Sequence, residues 1–150
     1  MSTLFADTSA IAKRYFRETG SEWVRSWSYT GTDQVVIIAE ICQVEFFSML
    51  ARRQREGLLT AHSATRLANV FLFHAERQYL TVPMDLSVLV AARNLTITHP
   101  LRALDAIQLA SALHASTTLN TLLTFITADK NLLAAATAEG LTTDDPTAHP

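Results

Sequence analysis

The spacing of apolar and polar positions changes repeatedly along this chain. Short apolar stretches, "TLFAD" at 3–7, "DQVVIIA" at 33–39, "YLTVPM" at 79–84 and "TLLTFITAD" at 121–129, have the length and β-branched content of strands. Between them run longer segments in which apolar residues return every three or four positions. These predict helices over "TSAIAKRYFRE" (8–18), "SEWVRSWSY" (21–29), "EICQVEFFSMLARRQREG" (40–57), Thr60 to about Gln78, "DLSVLVAARNLTITH" (85–99), Leu101–His114 and "KNLLAAATAEG" (130–140). Gly57 is a plausible C-terminal stop, and Pro100 separates two helices. Strands alternating with helices predict an α/β fold with a mostly parallel central sheet of about four to five strands. The polar end "LTTDDPTAHP" is expected to be a peripheral tail at 142–150, on a single domain spanning 1–150.

Composition narrows the class. The chain has 150 residues, is 49% hydrophobic and 17% charged, and contains only 4 Gly and 4 Pro, as a helix-rich globular protein does. Its 12 Lys and Arg against 14 Asp and Glu give a formal charge of -2, so any polyanion site must be local. Cys42 is the only cysteine, which excludes an internal disulfide. No secretory leader pattern opens the chain and no apolar run approaches a membrane span, so a cytoplasmic protein without membrane contact is expected.

Candidate chemistry lies in the acids. Asp7 and Asp129 each stand where a predicted strand gives way to a helix, at the sheet edge where ligands of α/β proteins bind; each would also serve as a helix cap. Glu45 shares a helix face with Ile41, Ser48 and Met49, and Asp105 with Leu101, Leu109 and Ala112. A carboxylate on such a face needs a raised pKa, a cation or a metal. An ion pair with Arg14, Arg52 or Arg102 would explain either one alone. If all four acids converge, their oxygens select Mg²⁺ or Mn²⁺, because zinc would prefer His or Cys and the five His have no ligand spacing. Such a site suits metal-assisted phosphodiester hydrolysis. A phosphatase or phospho-receiver fits less well: "FADTSA" lacks the Asp-x-Asp of the former, and the paired acids and placed Lys of the latter are missing.

Cations near these acids in sequence, namely Lys13, Arg14, Arg17, Arg102 and Lys130, are candidates for a phosphate-binding rim. Arg52, Arg53 and Arg55 read as a solvated helix end. Trp23, Trp27, Phe46 and Phe47 read as packing residues.

The order and spacing of "FADTSAIAKRY", "VVIIAEICQVEFFSMLARRQREG", "HPLRALDAIQLASAL" and "TFITADKNLLAAATAEGL" resemble the PIN-domain nucleases, and among them the VapC-type toxins of toxin–antitoxin pairs. The resemblance implies a three-layer α/β/α PIN-like domain whose acidic site is Asp7, Glu45, Asp105 and Asp129, with Glu40 an alternative to Glu45. Thr8, Ser9 and Thr127 resemble the family's supporting hydroxyls. Ala39 and Cys42 depart from it, standing where related sequences often carry Ser or Thr. The implied activity is that of a metal-dependent endoribonuclease, restrained by a VapB-type antitoxin and commonly a homodimer. A catalytically inactive PIN-like binding module, or a general PIN nuclease that is not a toxin, are the alternatives.

Overall fold

The computed structural model describes residues 2–150. Five strands, β1 (Ser2–Ala6), β2 (Gln34–Ala39), β3 (Tyr79–Val82), β4 (Thr124–Ile126) and β5 (Thr142–Asp144), form one sheet in the order β3-β2-β1-β4-β5. Every neighbouring pair is parallel. Seven α-helices cover the sheet: α1 (Thr8–Ile11), α2 (Ser21–Ser28), α3 (Cys42–Arg55), α4 (Ala61–Arg77), α5 (Leu86–Thr98), α6 (Ala103–Thr118) and α7 (Lys130–Ala138).

Alternation along the strands explains the three layers, since successive side chains of a strand point to opposite faces. Phe5, Ile37 and Phe125 pack with Val88, Leu109 and Leu132 of α5, α6 and α7. Ala6, Val36, Ile38 and Ile126 pack on the other side with Ile11, Val24, Phe46 and Phe71 of α1 to α4. Both faces are therefore buried, which accounts for near-continuous apolar runs such as "VVIIA".

The strand order places the site. From β1 the chain winds outward through β2 to β3, then crosses back by α5 and α6 to add β4 and β5 on the other side. Between β1 and β4 the winding reverses, and the carboxyl ends of strands at such a point splay apart to leave a crevice.

Two expectations need correction. The helix expected over 8–18 is only α1 followed by a tight 3-10 turn at Ala12–Arg14, which carries Tyr15 and Phe16 into the cluster around Phe46. The end of the chain is not a peripheral tail: β5 supplies the edge strand by pairing with β4, and a turn at Pro146–Ala148 returns to α2. His149 stacks on Trp23 with ring centroids 4.1 Å apart and contacts Asp144 at 2.8 Å. This return fixes Gly20, whose φ is 88° and whose added Cβ would sit 2.3 Å from the Pro146 carbonyl oxygen. The three-residue strand "TTD" has no apolar pattern, because its stability comes from backbone pairing with β4.

Candidate functional site

Asp7 follows the last residue of β1, and its backbone N–H donates to the Ile126 carbonyl of β4, so it bridges the reversal point. It caps α1: Ala10 N–H donates to Oδ1 at 2.9 Å and Ser9 Oγ to Oδ1 at 2.7 Å. Thr127, just past β4, donates to Oδ2 at 2.6 Å. The residue is 4% exposed, with no cation paired to it among the described residues. Burial raises its pKa from 3.8 to about 6; the bonds from Thr127, Ser9 and Ala10 oppose this, and the Glu45 charge adds to it.

Glu45 lies in the first turn of α3. Its Oε1 accepts from Thr8 Oγ1 at 2.9 Å and from Gln108 Nε2 at 2.7 Å. Gln108 also donates to Thr8 Oγ1 at 3.0 Å, so α1, α3 and α6 are tied together at the carboxylate. Asp105, in the first turn of α6, has its pKa raised first by burial and next by Asp129, against the influence of Arg102. Arg102 Nε stands 3.6 Å from Asp105, but its side chain is 86% exposed and the pair is correspondingly weak. Asp129 caps α7 through Leu132 N–H at 2.9 Å, and its own N–H donates to Thr127 Oγ1 at 3.0 Å. Capping and placement at the strand ends thus coexist in Asp7 and Asp129.

All four acids line one cleft of about 520 Å³ at the carboxyl ends of β1 and β4. The Glu45 charge adds to the upward shift at Asp7, and the Asp129 charge to that at Asp105. Among the described residues no three His, Cys, Asp or Glu side chains form a group able to hold a metal ion by themselves. The donor set in the cleft consists of hard carboxylate oxygens. That composition fits a hydrated divalent ion, which keeps several waters and takes one or two carboxylates, better than a fully enclosed ion.

Several expectations about neighbouring residues change. Glu40 is exposed and accepts from Met84 N–H at 2.7 Å, outside the cleft. Arg14 is not on the rim: the 3-10 turn buries it, and its Nη1 donates to the Ser28 carbonyl and to Tyr79 Oη, at the start of β3. Lys13 is buried against Glu18, 3.2 Å away, while Arg17 and Lys130 are exposed without lining the cleft. The cations that do line it are Arg102 and Arg52. Arg52 is two turns beyond Glu45 on the same face of α3, a spacing that marks it in the sequence. Gln108 belongs to the site as well; its sequence signal is a polar side chain one turn after Asp105 in an otherwise apolar helix. Cys42 is buried beside Thr8 with its thiol pushed up to about 12, mainly by burial, and is no nucleophile at neutral pH.

A doubly covered parallel sheet with a carboxylate-lined cleft at its reversal point defines an α/β domain of the three-layer kind. The family model described as PIN domain matches residues 4–138, and the chain belongs to this family, whose members are nucleases that generally use divalent metals. No protein of curated function matches the chain. Among solved structures it is similar to FitAcB from Neisseria gonorrhoeae, with a TM-score of 0.58, 19% identity and coverage of 95% of this chain and 97% of that one. It is also similar to VapBC-1 from nontypeable Haemophilus influenzae, with a TM-score of 0.61, 16% identity and coverage of 97% and 98%. A third similarity is to VapBC-5 from Mycobacterium tuberculosis, a member of the VapBC family of toxin–antitoxin systems, at 0.57, 17%, and 97% and 98%. At these identities the likeness is one of fold.

Proposed function

We propose that the protein is a Mg²⁺- or Mn²⁺-dependent endoribonuclease that acts as the toxin of a toxin–antitoxin pair. The observation that carries this reading is the cleft that gathers Asp7, Glu45, Asp105 and Asp129 without a buried cation to neutralise them. When bound, a divalent ion lowers the pKa of a water and withdraws charge from phosphoryl oxygens. The chain's residues prepare that chemistry. Thr127, Ser9 and the Ala10 N–H hold the Asp7 carboxyl in one orientation. Thr8 and Gln108 hold Glu45 by Oε1 and leave Oε2 without a hydrogen bond among the described residues. Arg52 and Arg102 supply positive charge for substrate phosphates in a chain of net negative charge.

RNA as substrate, and the toxin role, are supported by family membership together with the shared fold of VapBC structures. A VapB-type antitoxin and a second copy of the chain are the proposed partners. Exposed Val44 and Phe47 on α3 and Leu86 and Ile97 on α5 supply apolar surface for such contacts. No helix among the described residues is long and apolar enough to cross a membrane, and we place the protein in the cytoplasm.

Purified protein incubated with structured RNA and Mg²⁺ or Mn²⁺ should cleave it, and both Asp7→Asn and Asp105→Asn should lose that activity by orders of magnitude. Undiminished cleavage by both variants would overturn the assignment. Antitoxin binding without any cleavage after antitoxin removal would instead identify a binding module. Cleavage without an antitoxin partner would identify a general PIN nuclease.

A further inference from the structure

A second depression, of about 270 Å³, opens on the α1–α4 side of the sheet and is lined in part by Arg14, Tyr29, Arg66 and His74. It lies toward the amino end of β3, since Arg14 bonds Tyr79, the first residue of that strand, whereas the acidic cleft lies at the carboxyl ends. Arg14 is buried, yet every partner it has is neutral. Nη1 donates to the Ser28 carbonyl at 2.7 Å, to Gln78 Oε1 at 2.9 Å and to Tyr79 Oη at 2.8 Å. Its guanidinium also lies 5.0 Å from the centre of the half-exposed Tyr29 ring.

The Nη2 contact fixes a tautomer. Arginine only donates, so His74 Nε2 accepts at 3.3 Å and the His74 proton resides on Nδ1, donating to Tyr15 Oη at 2.7 Å. His74 is therefore neutral here, and the positive charge at the pocket belongs to Arg14 and Arg66. Among the described residues no acid lines the pocket. Among the described residues neither arginine has a carboxylate partner, because the nearby acids are engaged elsewhere: Glu18 by Lys13 and Arg53, Glu22 by Arg25, and Glu76 by Arg77. A buried cation satisfied in hydrogen bonds but not in charge, beside a second, exposed guanidinium, is a site for an anion.

We propose that this pocket is a phosphomonoester site, taking the terminal phosphate of a nucleotide or of an RNA strand. Two guanidiniums match a dianionic phosphate in charge, Arg14 contributing its charge from behind and the exposed Arg66 presenting its donors in the fork geometry that phosphate oxygens accept. Tyr29 offers a face on which an attached base stacks. The site is distinct from the acidic cleft and does not depend on the endonuclease reading.

The test is calorimetric titration at pH 7.5 in EDTA, which prevents phosphate from binding through a metal in the cleft. Inorganic phosphate and adenosine 5′-monophosphate should bind saturably at one site per chain, and adenosine should not. Arg66→Ala should weaken both by at least tenfold, and Tyr29→Ala should weaken the nucleotide more than inorganic phosphate. Both substitutions lie on exposed side chains, so folding is checked by an unchanged thermal midpoint. A 5′-phosphorylated tetranucleotide binding better than its 5′-hydroxyl form identifies a strand end as the source; binding of the mononucleotide alone identifies a free nucleotide. Three results would each overturn the site: no saturable binding of phosphate or mononucleotide at 10 mM (about that limit excludes even weak anion sites), acetate binding as tightly as phosphate, or binding unchanged by Arg66→Ala.

Discussion

Replacing Asp7 by Asn should make the metal-free protein more stable at neutral pH, although it removes hydrogen bonds. The Asp7 pKa is about 6 in the folded chain against 3.8 for the free side chain. The folded state therefore binds more protons than the unfolded state between these values, and stability falls as pH rises through that window. At about 1.4 kcal/mol per pH unit, the full cost above pH 7 is about 3 kcal/mol. Asn removes this cost but weakens the bonds from Thr127, Ser9 and Ala10, an offset of about 1–2 kcal/mol. The net gain is about 1–2 kcal/mol, or roughly 2–8 °C in Tm for a domain of this size. At pH 4 Asp7 is largely protonated in the folded chain, only the hydrogen-bond loss remains, and the variant should melt below the parent. Thermal melts of both proteins in EDTA from pH 4 to pH 8 should thus show a difference that changes sign. Mg²⁺ should then raise the Tm of the parent more than that of the variant, because the variant has lost one of the four charged groups lining the cleft. A variant less stable than the parent by the same amount at every pH would show that Asp7 carries no ionisation cost in the fold.

The remaining predictions concern positions around the cleft and one structural contact. Gln108→Ala should lower RNA cleavage by about 10–100-fold, as loss of a group that orients a metal ligand does, with the metal requirement shifted to higher concentration in a titration followed by thermal melts. Arg52→Ala should weaken RNA binding and reduce the slope of log affinity against log salt by about 1, measured by fluorescence anisotropy in Ca²⁺ or EDTA; an unchanged slope would remove Arg52 from the phosphate path. Gly20→Ala should cost about 1–3 kcal/mol in urea unfolding, since the new Cβ meets the Pro146 carbonyl and φ of 88° disfavours any other residue.

The acids were legible because their positions are local properties. Asp7 and Asp129 stand directly after strands and before helices, so one residue both caps and faces the sheet edge. Glu45 and Asp105 were visible as charges on apolar helical faces. Gln108 and Arg52 share that periodic signal, one and two turns from an acid, but an amide on a helix is ordinary and Arg52 sits in a basic run that equally suits a solvated helix end. Of the cations expected at the rim, Arg102 lines the cleft, but proximity in sequence to Asp7 is not proximity in space for the others: the turn at Ala12–Arg14 carries Lys13 and Arg14 away from the cleft.

Local residue order already contains the alternation of strands and helices and the position of Asp7 and Asp129 at the carboxyl edge of the sheet. Each follows from side-chain periodicity or from the backbone needs of a helix terminus, which a few neighbouring residues decide. Tertiary contacts are what make "TTD" an edge strand, join Arg14 to Ser28 and Tyr79 while Arg52 reaches the cleft, and bring the four acids to one cleft without a three-ligand cage among the described residues. Those outcomes depend on how distant segments cross the sheet, and the pairing that selects them is between residues up to more than a hundred positions apart, such as Thr127 with Asp7 and Gln108 with Thr8.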